Sequence, residues 1–144
     1  MSTISSGSCL CESVSFEISG AMSDVIFCHC KQCRKHTGHY AAATSVNTEQ
    51  LMFHQSNHLK WFASSKQAER GFCNNCGSNL FWREKKSSVI YIWAGAISEP
   101  NTLKPASHIY TKFAGNYYTI PDDGEHFNYD FLEKDSEGYL TYDE

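Results

Sequence analysis

Apolar and polar residues alternate in several short stretches of the sequence, which is the period of half-buried β-strands. The first such stretch places Val14, Phe16 and Ile18 on one face. Further stretches of strand character are residues 25–27, 40–46, 51–54, 58–63, 79–83, 89–94, 108–113 and 117–120. Residues 31–36 instead suit one or two helical turns that stop at Thr37-Gly38. Since no long apolar helical pattern appears, the sequence predicts a mainly β fold of short strands.

The length and composition suit a single domain. The chain has 144 residues, 41% of them hydrophobic, and contains three Trp, eight Tyr and nine Phe. This is enough apolar surface for one core. We therefore expect one domain over residues 1–144. Its last part, residues 121–144, is acidic and rich in Tyr and Phe, and we expect this segment to pack on the body.

Charge is distributed unevenly along the chain. Residues 1–120 contain eleven Lys and Arg against seven Asp and Glu, whereas residues 121–144 contain nine acids and one base, Lys134. The net charge of −4 disfavours a nucleic-acid partner, because phosphate contacts require clustered basic side chains. We expect no membrane partner, since no stretch is long and apolar enough to span a bilayer. The polar residues 1–8 do not resemble a secretory signal, so we expect a cytoplasmic protein.

The seven cysteines are the strongest chemical signal in the sequence. Three of them fall within six residues, in Cys28-His29-Cys30-Lys31-Gln32-Cys33. The other four form a Cys-x-Cys pair, Cys9 and Cys11, and a Cys-x-x-Cys pair, Cys73 and Cys76. Because cytosolic thiols stay reduced, metal binding explains these spacings better than disulfides. Two such pairs supply the four sulfurs of a structural zinc site, with iron in a rubredoxin-like site as the alternative.

The three-cysteine set, Cys28, Cys30 and Cys33, is one ligand short of a closed tetrahedron. Zinc sites that perform chemistry keep one position open, so we predict a catalytic zinc with an exchangeable fourth ligand here. Three thiolates on Zn²⁺ leave a net charge of about −1, which makes bound water a weak acid and favours an incoming thiol as the ligand. We expect this open site to hold its zinc less firmly, and so less completely, than the four-cysteine site.

Two other interpretations of the three-cysteine set remain open. A histidine, His36 at suitable spacing or else His29 or His39, would close the tetrahedron and make a second structural site. Alternatively, Cys30 and Cys33 form a redox Cys-x-x-Cys pair, although the βαβ context of such pairs is missing.

Basic residues surround the three-cysteine set. Lys31, Arg34 and Lys35 either pair with the carboxylates of a ligand or form a solvated basic turn. Arg70 is a further candidate for anchoring a carboxylate.

The cysteine motifs together resemble one known family. The motifs are Gly7-Ser8-Cys9-Leu10-Cys11 leading to Val14 and Phe16, Cys28-His29-Cys30-Lys31-Gln32-Cys33-Arg34, and Phe72-Cys73-Asn74-Asn75-Cys76-Gly77-Ser78. They are similar to those of the glutathione-dependent formaldehyde-activating enzyme family, also called the GFA or CENP-V/GFA domain. The resemblance covers roughly residues 5–120 and includes all seven cysteines.

The resemblance implies an Mss4-like, or β-tent, fold of short antiparallel strands organised by zinc. The structural zinc ligands that it implies are Cys9, Cys11, Cys73 and Cys76. The catalytic zinc ligands that it implies are Cys28, Cys30 and Cys33. The implied activity is that of a carbon–sulfur lyase, an S-(hydroxymethyl)glutathione synthase, which adds a thiol such as glutathione to a small aldehyde such as formaldehyde, or reverses that addition. The alternative is a non-catalytic zinc-binding module that binds a protein or a thiol ligand.

Overall fold

Short strands dominate the computed structural model, which describes residues 3–129. These residues form eleven strands, one α-helix and three 3-10 turns, which confirms the predicted mainly β fold. The strands are β1 Ile4–Ser8, β2 Ser15–Ser19, β3 Val25–Cys28, β4 Ala41–Asn47, β5 Leu51–Gln55, β6 Leu59–Ala63, β7 Ala68–Cys73, β8 Asn79–Glu84, β9 Val89–Trp93, β10 Pro105–Ile109 and β11 Glu125–His126. The helix α1 spans Lys31–Thr37.

The chain divides into two compact units. Unit 1 comprises Met1–Ser23 and Thr44–Leu103, and unit 2 comprises Asp24–Ala43 and Lys104–Glu144. Residues 130–144, which include most of the acidic segment predicted to pack on the body, lie outside the described residues. The single domain over residues 1–144 therefore stays a prediction. Among residues 3–129, no helix has the length and apolar character needed to cross a bilayer.

One sheet of unit 1 has three antiparallel strands in the order β1-β2-β5. The predicted alternation in β2 is present, since Phe16 and Ile18 are 1% and 0% exposed. The edge strand β1 was not predicted, because its sequence Ile-Ser-Ser-Gly-Ser has no apolar alternation. Gly7 allows β1 to approach closely, since a Cβ at this position would lie 2.6 Å from the Phe16 ring.

Unit 1 also contains an antiparallel run of strands in the sequence order β6-β7-β8-β9. Trp61 and Phe81 lie opposite Gly71 of β7, and their rings stack with 6.0 Å between centroids. The buried residues of unit 1 form one core: Cys9, Val14, Phe16, Ile18, Val46, Cys73, Leu80, Phe81, Ile90, Ile92 and Ile97. Two of the predicted metal ligands, Cys9 and Cys73, are therefore part of this core.

Unit 2 is built around β3. This strand pairs antiparallel with the first residues of β4 and parallel with β10, which in turn pairs parallel with the short β11. Helix α1 begins three residues after Cys28, the last residue of β3, as expected for a cysteine turn at the end of a strand. It ends where predicted, because Gly38 adopts a left-handed φ of 84° and caps it.

The structure corrects two predicted strands in unit 2. The strand predicted over residues 108–113 is β10, which ends at Ile109 and is followed by a 3-10 turn over Thr111–Phe113. The reason is that Tyr110 has a left-handed φ of 57°, which interrupts the extended backbone. Residues 117–120 form a turn and irregular structure rather than a strand. The Tyr118 side chain bonds to His29 instead of following a strand period.

Candidate metal centres

The four-cysteine cluster, Cys9, Cys11, Cys73 and Cys76, lies entirely in unit 1. Its four sulfur atoms all lie within 4.8 Å of one another. The Sγ–Sγ distance is 3.6 Å for Cys9 and Cys11 and 3.8 Å for Cys11 and Cys73. A tetrahedral zinc with Zn–S bonds of about 2.3 Å requires sulfur–sulfur distances of about 3.8 Å. The cluster therefore has the spacing that a zinc ion needs.

Amide groups point at the sulfurs of this cluster. The backbone N–H of Val14 donates to Cys9 Sγ at 3.3 Å. Asn75 donates its backbone N–H to Cys73 Sγ at 3.4 Å and its side-chain Nδ2 to Cys11 Sγ at 3.2 Å. Because such donors stabilise negative charge on sulfur, the loops favour thiolate ligands.

The thiols of this cluster differ in acidity. Hydrogen bonds from Ser13 and Asn75 lower the pKa of Cys11 to about 5. Burial raises the pKa of Cys9 to about 11. A cation bound by all four sulfurs would offset the cost of the buried thiolate, so the donor set suits a positively charged ion.

The three-cysteine cluster lies entirely in unit 2, where β3 meets α1. Cys28 ends β3, Cys30 caps the N-terminus of α1, and Cys33 is buried in the helix. The three sulfurs lie within 4.8 Å of one another, and the backbone N–H of Cys33 donates to Cys30 Sγ at 3.3 Å. Hydrogen bonding to Cys30 and Cys33, with burial, raises the pKa of Cys28 well above its ordinary value. Without a cation, this shift favours the neutral thiol at Cys28. All three cysteines would therefore become thiolates together only with a cation bound among them.

The cysteines that the sequence grouped together also lie close together in the structure. The structure brings together the same two sets of four and three thiols that the spacing suggested, and all seven cysteines are free. In each cluster the sulfur atoms lie close enough to one another, within 4.8 Å, to bind a single metal ion.

The three candidate histidines, His29, His36 and His39, are not part of the three-cysteine cluster. Among the described residues, the metal-binding atoms that meet here are three sulfurs and no imidazole nitrogen. His29 uses both ring nitrogens elsewhere: Nδ1 lies 2.9 Å from the Tyr118 hydroxyl and Nε2 lies 2.9 Å from His108 Nδ1. Burial, with the charge of His108, lowers the pKa of His29 to about 4, so its ring is neutral.

Sequence reasoning missed a chain of four hydrogen-bonded side chains around His29. We call it the His29–His108 network; its members are Tyr118, His29, His108 and Asp123. His108 Nε2 donates to Asp123 Oδ1 at 2.6 Å, and both histidines are 0% exposed. Its three bonds join residues 89, 79 and 15 positions apart in the sequence. No local spacing signals such a network, which is why His108 appeared to have no ligand-like context.

The predicted basic residues lie mainly on α1. Arg34 and Lys35 occupy its last turn, and Lys31 Nζ lies 5.4 Å from the centroid of the Phe113 ring. The helix has seven residues, so these cations are all within two turns of Cys33. Arg70 lies in β7 of unit 1 and is 4% exposed.

Comparison with known proteins identifies the family. The family model described as glutathione-dependent formaldehyde-activating enzyme, GFA, matches residues 4–113, a stretch that contains all seven cysteines. The chain belongs to the GFA family. Tyr118 and Asp123 of the His29–His108 network lie beyond the part of the chain that the GFA model matches.

Two individual proteins are also similar to this chain. An uncharacterized lyase of Schizosaccharomyces pombe is 32% identical over 76 residues, which cover 53% of this chain and 55% of that protein. The chain therefore spans just over half the length of this curated relative. The crystal structure of a Rhodobacter sphaeroides protein aligns with a TM-score of 0.54 at 19% identity, over 67% of this chain and 90% of that one. At this identity the likeness shows a shared fold.

Proposed function

We propose that this GFA-family protein is a zinc-dependent carbon–sulfur lyase. It adds a thiol, glutathione or a relative, to a small aldehyde such as formaldehyde, or cleaves the adduct in reverse. The family match and the name of the S. pombe lyase support this reaction class. The observation that carries the proposal is the three-cysteine cluster, which brings together three sulfurs and, within residues 3–129, no fourth ligand atom from a Cys, His, Asp or Glu side chain.

The two clusters have different roles in this proposal. The ligands of a structural zinc are Cys9, Cys11, Cys73 and Cys76. Two of them, Cys9 and Cys73, belong to the hydrophobic core, so this zinc would stabilise an Mss4-like, β-tent fold. The ligands of a catalytic zinc are Cys28, Cys30 and Cys33. With three protein donors, a tetrahedral zinc takes one more ligand, and we assign that position to the substrate thiol.

The proposed reaction balances without an oxidant or reductant. The sulfur of the thiol attacks the carbonyl carbon, a carbon–sulfur bond forms, and the carbonyl π bond breaks. The proton lost by the thiol ends on the carbonyl oxygen, giving a hydroxymethyl thioether from formaldehyde. Cys28, Cys30 and Cys33 would hold the zinc, whose Lewis acidity would favour the thiolate form of the attacking group.

The basic side chains of α1 provide the expected contacts to the rest of the thiol. Glutathione carries two carboxylates, and a guanidinium such as that of Arg34 binds a carboxylate in bidentate geometry. Lys31 and Lys35 lie on the same short helix and add positive charge. Their role is to orient the thiol next to the aldehyde, which lowers the entropic part of the barrier. Seven free thiols suit a reducing compartment, so we propose the cytoplasm as its location.

The test is turnover of the zinc-loaded protein with a panel of thiols and small aldehydes. Thiols add to formaldehyde without help, so the rate must be measured above the spontaneous reaction, for example by NMR exchange between free thiol and adduct. We expect acceleration with wild type and none with Cys30→Ser, which loses one of the three sulfurs.

Two controls make this result specific. Wild type treated with a chelator should lose the acceleration and regain it on adding zinc. Asp122→Ala, which removes an exposed carboxylate, should behave as wild type. If wild type and Cys30→Ser give equal rates with every thiol and aldehyde, the enzyme proposal fails and a non-catalytic zinc module takes its place.

A further inference from the structure

The His29–His108 network holds the residue that separates two of the three clustered thiols. His29 lies between Cys28 and Cys30, so its position sets the direction of the backbone on both sides. The ring bonds to Tyr118 at Nδ1 and to His108 at Nε2, each at 2.9 Å. The backbone N–H of His29 donates to the carbonyl oxygen of Ile109 at 3.0 Å. Main chain and side chain of this residue are therefore both fixed by unit 2.

Asp123 orders the bonds of the network. A carboxylate oxygen can only accept, so His108 Nε2–H donates to Asp123 Oδ1. With Nδ1 of His108 as the acceptor, His29 donates its Nε2–H to His108 and accepts from the Tyr118 hydroxyl at Nδ1. Both ring nitrogens of His29 and both of His108 are thus paired, and the network holds the His29 ring in one orientation.

Ring contacts restrict the same side chains further. Phe27 stacks on His108 with 4.7 Å between centroids and an interplanar angle of 18°. Tyr40 lies against His29 with 4.3 Å between centroids. Since both imidazoles are 0% exposed, the rings have no room to adopt another rotamer without disturbing these neighbours.

Two members of the network lie beyond the stretch of the chain that the GFA model matches. Tyr118 and Asp123 follow residue 113, where the match to the GFA model ends. The segment that contains them returns to β10 through β11, where Phe127 N–H donates to the His108 carbonyl oxygen at 2.9 Å. Residues outside the matched stretch thus reach the turn that carries the thiols.

We propose that Asp123 and His108 are positioning residues for the three-cysteine metal site, because they hold His29 and thereby keep Cys28 and Cys30 in ligating geometry. The proposal rests on the zinc that the proposed function assigns to this cluster. Partners that orient metal-binding groups in this way typically change metal affinity by about 10- to 100-fold when removed. We expect an effect of that size on zinc binding at this cluster.

The experiment measures zinc affinity by chelator competition on the full, zinc-loaded chain. Cys30→Ser provides the reference curve for the four-cysteine zinc alone. Asp123→Ala should lower the zinc affinity of the three-cysteine cluster by about 10- to 100-fold. Asp123→Asn should restore binding to near wild type, because an amide oxygen still accepts from His108. Asp122→Ala is the matched control, since it removes the neighbouring exposed carboxylate and should change nothing.

A spectroscopic readout separates positioning from a general loss of stability. In ¹⁵N-histidine spectra, Asp123→Ala should shift the ring nitrogens of both His108 and His29, whereas Asp122→Ala should not. If Asp123→Ala loses the four-cysteine zinc as well, it is misfolded, and Tyr118→Phe then decides. That variant removes one hydroxyl from the opposite end of the network, and Tyr117→Phe, at an exposed ring, is its control.

Each result supports or overturns the proposal. Unchanged zinc affinity in Asp123→Ala, or in Tyr118→Phe where the first variant misfolds, overturns it. A wild type that binds zinc at the four cysteines only overturns it together with the proposed catalytic zinc. Weaker zinc binding in Asp123→Ala without thiol–aldehyde turnover in wild type supports the positioning role and refutes the lyase.

Discussion

Gly77 illustrates how one residue shapes the four-cysteine cluster. Its backbone has a left-handed φ of 80°, and its N–H donates to the Cys73 carbonyl oxygen at 2.8 Å, which closes the Cys-x-x-Cys turn. A Cβ at this position would meet no atom within 4 Å, so a substitution tests the backbone angle alone.

We expect Gly77→Ala to lower the free energy of unfolding by about 1 to 2 kcal/mol, the cost of a left-handed L-residue. Urea denaturation of the zinc-loaded protein measures it. Gly95→Ala is the control, because its Cβ also meets nothing within 4 Å and its φ is not left-handed. We expect that control to be neutral or slightly stabilising. Equal losses for the two variants would show that the angle at Gly77 is unimportant.

Residue chemistry at the site was only partly predictable. The cysteine sets could be identified because metal ligands come in close pairs, such as Cys9 with Cys11. His29 was considered as a ligand for the same reason, yet its nitrogens bond to Tyr118 and His108. Contacts between residues 79 or more positions apart leave no local pattern, so the network required the fold.

At the scale of single elements, α1 links helix capping to the proposed metal site. Cys30 caps the helix through its sulfur, which accepts from the Cys33 backbone N–H. Serine is among the best N-cap residues, so Cys30→Ser keeps the cap while it removes one of the three sulfurs proposed to bind zinc. Cys76→Ser offers no such compensation, because it opens the cluster that includes two core residues.

We therefore expect different outcomes for the two serine variants. Cys30→Ser should remain folded, with an unchanged far-ultraviolet circular dichroism spectrum and one zinc fewer per chain. Cys76→Ser should lose the structural zinc and unfold, since structural zinc sites contribute directly to folding. Circular dichroism and metal analysis on both proteins decide this. Unfolding of both, or of neither, would contradict the proposed division between the clusters.

The pairing of β7 with β8 brings together a partly buried ion pair between Glu69 and Arg83. Arg83 donates from Nε and Nη2 to Glu69 Oε2 at 3.1 and 3.0 Å, and its guanidinium lies 3.6 Å from the Trp61 ring centroid. We expect Arg83→Lys to lose about 0.5 to 1 kcal/mol of stability, because an ammonium cannot reproduce the forked, stacked geometry. Thermal unfolding measures the loss, with Lys86→Arg in an exposed turn as the control. An Arg83→Lys variant with unchanged thermal stability would show that a positive charge at this position is enough.

Strand prediction succeeded for β2, where burial imposes a period, and failed for β1 and β11, which backbone pairing alone forms. The β2 strand was found from Phe16 and Ile18, which face the core. Neither β1 nor β11 has an alternating apolar pattern. Both are strands because they pair with a neighbouring strand, β1 with β2 and β11 with β10. The early end of β10 follows from the left-handed φ of Tyr110, which no sequence period signals.

At the scale of the whole molecule, each compact unit contains one cysteine cluster. Stepwise chelation should therefore remove two zinc ions in separable steps. The ion of the three-cysteine cluster should leave first and without loss of secondary structure, because three ligands hold it less firmly than four. The second ion should leave together with the circular dichroism signal. Simultaneous loss of both metals and the fold would contradict this order.

The most direct test of the account is zinc X-ray absorption on the fully loaded wild type, before and after adding glutathione. One closed and one open site predict an average of about 3.5 sulfurs per zinc, which rises to about 4 when the thiol binds. An imidazole contribution to the spectrum, or a sulfur count that glutathione leaves unchanged, would contradict an open three-thiolate site.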